Sequence, residues 1–384
     1  MRTGMMGAAL TCLWGVTSLA APPPPLPAEH LTTEKLGPPK PHWAFAFDEA
    51  FYNEIDARVD LFDGDTFRRL GQIDAGFNAA FNLSPDSATT AVGTTYFSRG
   101  GHGTRTDVVE FIDNATLAYT GEIVLPNKRA ETLPTYFNLG YGTDGRFLYV
   151  AYLTPASSFG VLDPARKAVL SEIDTAGCVM VLPVGANRVS SLCENGRLLT
   201  VTLDAQGHEA SRALSDAFFD PDADPIFVQG VPSRDGFVFV SFLGQVHEVD
   251  TSGSQPVFRP PWSLLTASER DKEHWRPGGQ APLALHRAMG RLYVLMHRGG
   301  EGSHKEAGSE VWVFDVRTHQ RLARWALAAS KLDPALSVQV SQDDAPLTFL
   351  ASEKSDVAVL DALTGHVRHV EKHLGQTTWF FLTP

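Results

Sequence analysis

The chain has 384 residues, 43% of them hydrophobic and only 20% charged, so it is long enough and apolar enough to bury a sizeable core. Its formal net charge of −12 argues against a nucleic-acid footprint, which needs clustered Lys and Arg. Beyond the first twenty residues no apolar run is long enough to cross a bilayer.

Residues 1–20 read as a secretory signal peptide. Arg2 supplies the positive charge, Met5 to Leu19 a mostly apolar stretch, and Ser18-Leu19-Ala20 the small residues a signal peptidase reads, with cleavage expected after Ala20. The stretch is too short and too rich in Gly and Ala to favour the competing reading, a membrane anchor. Residues 21–40 form a proline-rich arm, with Pro22 to Pro25 in succession, expected to be extended because proline fixes φ and removes backbone donors. It serves either as a linker or as a reach toward a neighbouring subunit. Removal of the leader takes Cys12 with it, leaving Cys178 and Cys193, an even pair that an exported chain most often joins as a disulfide. In the chain-entropy model, closing that interval stabilises by roughly 3 kcal/mol, less any strain.

Residues 41–384 carry a repeat. Seven short apolar segments end on aspartate: VDLFD at Asp63, VEFID at Asp113, FGVLD at Asp163, TVTLD at Asp204, VHEVD at Asp250, VWVFD at Asp315 and VAVLD at Asp361. Asp63 and Asp361 are 298 residues apart over six steps, about 50 per repeat, a period of propellers and solenoids. Ten residues after the aspartate an apolar residue recurs at Ile73, Ile123, Ile173, Leu214 and Trp325. A strand, an Asp-opened turn and a return strand explain the interval. The expected fold is therefore all-β, a seven-bladed β-propeller.

Other strands follow from turn chemistry next to β-branched or aromatic runs: Phe147 to Leu153 after Asp144-Gly145, Phe237 to Leu243 after Asp235-Gly236, and Arg291 to His297 after Met289-Gly290. Ser98 to Thr106, rich in glycine, reads as an inter-strand loop, since no helix follows and no P-loop spacing is present. The longest interval, Asp250 to Asp315, predicts an insertion outside the blade, with a short helix within Ser263 to His274 capped by Ser263 or Thr266. WAFAF (Trp43 to Phe47) and TWFFL (Thr378 to Leu382) are the candidate strands to close the ring, which otherwise exposes unpaired edges.

No catalytic motif stands in credible context. His297, Glu301 and His304 can be drawn around a metal, but a glycine-rich hairpin tip is the better reading of HRGGEGSHK. The periodic aspartates need no role beyond opening turns, and the tryptophans read as packing. The chemistry therefore belongs to a partner, and the propeller holds, orients or encloses it. Two other readings stay open on the residues alone: a stand-alone metal-dependent propeller hydrolase, and a secreted YVTN-like scaffold.

Several segments make a family resemblance: RTDVVEFID (Arg105 to Asp113), TPASSFGVLD (Thr154 to Asp163), the Cys178 and Cys193 pair, DPIF (Asp224 to Phe227), PWSLL (Pro261 to Leu265), HWRPGG (His274 to Gly279) and the long run Leu283 to Asp315. On these the chain resembles the heavy (α or large) subunit of the quinoprotein amine dehydrogenases, methylamine and aromatic amine dehydrogenase, and stands closer to the aromatic amine branch through PWSLL and GEGSHK. The resemblance implies a periplasmic α2β2 assembly. Its small β subunit carries tryptophan tryptophylquinone, oxidises a primary amine to aldehyde and ammonia, and passes electrons to a blue copper protein, amicyanin or azurin. It implies no catalytic residue, cofactor or metal in this chain, so none of Trp43, Trp262, Trp275, Trp312, Trp325 or Trp379 is expected to be a quinone precursor. The family's channel-lining phenylalanine falls on Phe51, with Tyr52 the neighbouring alternative. The competing reading of Phe51 is an ordinary buried strand aromatic. The family disulfide falls on Cys178 and Cys193.

Overall fold

Each repeat folds as an antiparallel blade of four strand positions, one of them split between two short strands in blades 5 and 6, with the aspartate at or just after the end of the third. In a computed structural model that describes residues 35–129 and 134–384, the third strands are Ala57–Asp63, Arg105–Asp113, Ser158–Asp163, Leu198–Leu203, Gln245–Asp250, Glu310–Asp315 and Val357–Asp361. The aspartates act locally. The carboxylates of Asp63, Asp163, Asp204, Asp250, Asp315 and Asp361 each accept a backbone N–H two or three residues on, and Asp113 accepts the Thr116 hydroxyl. This is the Asx-turn role expected of them. The return strands then pair in the predicted register, with Ile73 opposite Val59, Ile123 opposite Val109 and Ile173 opposite Phe159. Those isoleucines are buried, whereas Leu214 faces solvent, so in the fourth blade the recurrence marks strand character without marking core.

Blade 1 runs outward from the axis as Thr378–Leu382, Trp43–Asp48, Ala57–Asp63 and the first half of Arg69–Leu83. The second half of that fifteen-residue strand is the first strand of blade 2, which continues through Thr89–Phe97, Arg105–Asp113 and Ala118–Leu125. A register shift at Phe77 to Ala80, with positive φ at Gly76 and Asn78, redirects the chain between blades in place of a loop. Blades 1 and 2 therefore share one hydrogen-bonded sheet of seven strands, and the other five blades are separate sheets. Their first strands, beside the axis, are Leu139–Tyr141, Cys178–Pro183, Val231–Pro232, Leu283–His286 and Ala335–Val340. The insertion in the longest repeat holds the helix Ala267–Asp271, where Thr266 and Glu269 form a reciprocal capping box.

The ring closes as expected. Phe45, Ala46 and Phe47 stand opposite Leu382, Phe381 and Phe380 in antiparallel pairing. The Cys178–Cys193 disulfide joins directly opposed residues on the first two strands of blade 4. Residues 1–20, expected to be a secretory leader, and most of the proline-rich arm lie outside the described residues. Where the arm becomes visible it is irregular, and the Leu36 N–H bonds to the Ala115 carbonyl. Among the described residues no helix is long and apolar enough to cross a membrane.

The joint between the chain's two ends is aromatic. Phe380 is fully buried and packs on Phe47 (5.1 Å between centroids), Phe81 (5.4 Å) and Tyr136 (4.5 Å). Phe380→Ala removes a large side chain from three partners and is expected to cost about 3–5 kcal/mol. Urea unfolding checks this, and a loss below 1 kcal/mol would mean that closure does not depend on this ring.

Candidate functional site

Loops joining second to third strands, and connections from one blade to the next, open on the same face of the propeller, called here the upper face. Phe51 and Tyr52 lie on it, in the loop between Trp43–Asp48 and Ala57–Asp63. They are not buried strand aromatics: Phe51 is 43% and Tyr52 90% exposed. Phe51 lies parallel to Trp379 (6.3 Å, 4° between planes), and Tyr52 meets Phe51 edge-on at 5.9 Å. Trp379 is itself anchored, its indole N–H donating to the Pro134 carbonyl at 3.0 Å.

The loop's entry is fixed by Asp48. Its buried carboxylate accepts the N–H groups of Ala50 (3.0 Å), Gln376 (2.8 Å) and Thr377 (2.6 Å), together with Arg58 Nε (3.2 Å). Gly375 passes so close that a Cβ there would stand 2.4 Å from Asp48 Oδ2, so only glycine fits. Ala50 takes φ of 49°, a left-handed turn that carries Phe51 outward. The Phe51 N–H then bonds to Thr377 Oγ1 at 3.3 Å.

Beside this loop sits Glu49, 2% exposed, with Oε2 lacking any hydrogen bond among the described residues. Burial first, then the nearby Glu54 and Asp48 carboxylates, push its pKa up to about 8 against the opposing pull of Arg129. Its one signal in the sequence is an acidic pair, Asp48-Glu49, at the end of an otherwise apolar strand.

The axial end of the upper face is a funnel of about 380 Å³. Asn138, Met180, Phe227, Val228, Phe242 and His304 are among its walls, contributed by successive blades and their connections. His304 stacks flat on Phe242 at 3.9 Å, and burial, with Lys305 beside it, lowers its pKa. His297 is buried elsewhere in the same hairpin, its Nε2 2.9 Å from Ser303 Oγ, and burial lowers its pKa too. Glu301 is at the exposed tip. The two histidines therefore have separate packing roles. Among the described residues no group of three or more His, Cys, Asp or Glu is placed to hold a metal.

A single 3-10 turn, Tyr136–Asn138, stands across the axis. Thr135 caps it by accepting the Phe137 N–H at 3.2 Å. Thr135 and Asn138 line the upper funnel, whereas Tyr136 and Phe137 line the cavities below. Because Pro134 receives the Trp379 indole, the funnel wall and the Phe51 platform are joined through adjacent residues.

The raised pKa of Glu49 fixes the sign of a stability effect. The folded chain holds this proton more tightly than the unfolded one, so the stabilisation is fully present below about pH 4.5 and is lost as pH rises through about 8. Glu49→Gln, which mimics the protonated side chain, is expected to match wild type near pH 4.5 and exceed it increasingly toward pH 9, by an amount on the order of a few kcal/mol. Unfolding midpoints across that range measure it. Parallel curves would show that Glu49 ionises freely.

Comparisons with known proteins identify the family of the chain. The family described as methylamine dehydrogenase heavy chain (MADH) matches residues 43–383. Methylamine dehydrogenase heavy chain of Paracoccus versutus is 30% identical over 319 residues, 82% of this chain and 73% of that one. That of Methylobacillus flagellatus is 26% identical over 358 residues, 92% and 88% of the two chains. Among solved structures, Kuenenia stuttgartiensis hydrazine synthase (TM-score 0.53, 15% identity, 87% of this chain and 98% of that one) shares the fold alone. So does dihydro-heme d1 dehydrogenase NirN (TM-score 0.53, 16% identity, 92% and 77%). The match over residues 43–383 spans every blade, and the chain belongs to the methylamine dehydrogenase heavy chain family.

Proposed function

We propose that this chain is the heavy subunit of a periplasmic amine dehydrogenase, that its upper face seats a small subunit, and that Phe51 and Tyr52 line the passage by which substrate reaches that subunit. The observation carrying this reading is a preformed apolar surface beside an ordered aromatic platform. Phe51 rests on the anchored Trp379, while Leu153, Val179 and Val228 leave exposed apolar side chains at the funnel. Exposed apolar patches of this kind mark interaction sites.

The reaction takes a protonated primary amine and water to aldehyde, ammonium, two electrons and two protons. Tryptophan tryptophylquinone in the small subunit supplies the two-electron oxidation, and a blue copper protein such as amicyanin or azurin takes the electrons. Two of this chain's tryptophans pack together. Trp275 and Trp312, 5.2 Å apart, are both buried, and Arg324 lies over both rings. The residues of the upper face contribute orientation and exclusion of water, for which a rigid aromatic wall suits because it selects by shape without titrating.

Export is supported by the Cys178–Cys193 disulfide, a bond that persists in oxidising compartments. Preference for aromatic amines rests on the PWSLL and GEGSHK segments, which here hold Trp262 against His319 and His304 against Phe242. An α2β2 assembly is the expected form.

Expressed alone, the chain is expected to show neither quinone absorbance nor amine oxidation, and co-expression with its small subunit to give both. Activity in the lone chain would reject the reading. In the assembled enzyme, Phe51→Ala is expected to shift the ratio of kcat/KM for 2-phenylethylamine over methylamine by about tenfold, the scale of a lost apolar wall; an unchanged ratio removes Phe51 from the passage. Val228→Glu places a charge on the funnel rim and is expected to abolish co-purification of the small subunit while the chain stays folded by circular dichroism. Retained co-purification would move the docking surface elsewhere.

A further inference from the structure

The opposite, lower face ends the axis in different chemistry. Turns between first and second strands open there onto a cavity of about 420 Å³, whose lining includes Asn82, Tyr136, Phe137, Tyr141, Arg234 and Arg287. A second cavity, about 160 Å³, also lined by Tyr136, Phe137 and Arg287, adds Gln339 and Gln342. The floor of both is thus the aromatic side of the axial turn.

Arg287 sits in the turn between Leu283–His286 and Arg291–Arg298, held by its backbone N–H bonding to Gln342 Oε1 at 3.0 Å. Its guanidinium has no hydrogen-bond or ion-pair partner among the described residues. Its side chain is open to solvent at the rim, yet surrounding protein atoms withdraw enough water to lower its pKa, with no carboxylate near enough to oppose this. Arg234, in the corresponding turn of blade 5, is likewise without a partner. Asp235 is the one carboxylate lining the larger cavity, and it forms no ion pair within 4.0 Å of either arginine.

Several other arginines are ion-paired. Arg58 pairs with Asp48, Arg105 with Asp107 and Arg321 with Glu269. In a chain of formal net charge −12, two arginines left unpaired at one cavity mouth are not explained by scarcity of acids. A partly desolvated cation without a counter-charge is unfavourable and is relieved when an anion arrives. The guanidinium fork matches a carboxylate in two parallel hydrogen bonds. Flat rings with a few placed polar groups are what small-molecule pockets of roughly 300–1,000 Å³ present.

We infer that the lower axial mouth is a binding site for a small organic carboxylate with a flat apolar body, the carboxylate held by Arg287 and Arg234 and the body resting against Tyr136 and Phe137. The inference is independent of the amine dehydrogenase reading, because no residue of the Phe51 platform takes part.

Titration calorimetry of the full chain with benzoate tests it, with benzyl alcohol and inorganic phosphate as comparators. Benzoate is expected to bind saturably, at least tenfold more tightly than either comparator. Arg287→Gln is expected to weaken benzoate at least tenfold, Arg287→Lys to fall between that variant and wild type, and the unfolding midpoint of Arg287→Gln to equal or exceed that of wild type because no internal partner is lost. Absence of saturable benzoate binding, equal affinity in Arg287→Gln, or phosphate binding as tightly as benzoate would each overturn the assignment.

Discussion

The closure of the ring and the presentation of Phe51 are joined in one carboxylate. Asp48 ends the second strand of blade 1, and its two oxygens accept N–H groups from Gln376 and Thr377 at the far end of the sequence and from Ala50 within the loop. Buried backbone donors of this kind are costly to leave unpaired. An unclosed propeller would also expose strand edges at its terminal blade. A single side chain therefore satisfies donors from both ends of the chain, and it does so only because Gly375 leaves room for it. The outward turn at Ala50 and the hydrogen bond from Phe51 to Thr377 follow from that anchor.

The parts of this fold that were legible in the sequence are those governed by local chemistry. An aspartate that hydrogen-bonds its own turn leaves a mark at a fixed place in each repeat, and seven such marks gave the number of blades. The closing strands were legible for a related reason: aromatic residues at both ends of a chain need burial, and Phe47 and Phe380 bury each other. The transfer of one strand between blades 1 and 2 was not legible, because a bulge at Phe77 to Ala80 replaces a loop and leaves no turn signature. Leu214 shows the limit of periodicity, since a recurring apolar position can lie on an outermost strand facing solvent.

The candidate site divides in the same way. Family likeness singled out Phe51, but its exposure depends on Ala50 turning left-handed and on Trp379 arriving from more than 300 residues away, neither of which a local reading of the loop contains. The funnel was invisible for a stronger reason. Asn138, Met180, Phe242 and His304 come from successive blades and converge only when the ring is complete. His297 and His304 are close in sequence and look like ligands, yet one ring turns to Ser303 and the other lies flat on Phe242. The Gly-rich tip between them lets neighbouring histidines serve unrelated packing needs.

The axial turn Tyr136–Asn138 explains why one propeller offers two unlike faces. Tyr136 packs on Phe380 and Phe137 on Phe237, so the turn is wedged into the same aromatic cluster that closes the ring. What lies above it is lined mainly by apolar side chains from successive blades, and what lies below it is met by arginines in the turns of blades 5 and 6. Under the proposed function, in which the reactive group belongs to another polypeptide, a scaffold would gain from this arrangement. An apolar face already ordered before a partner arrives would lose less ordering entropy on association. The lower mouth, walled off by the aromatic turn, is free to carry charge without placing it against the apolar face. Rigidity at the axis thus separates the two surfaces chemically, and it comes from the same aromatic packing that fastens the first strand to the last.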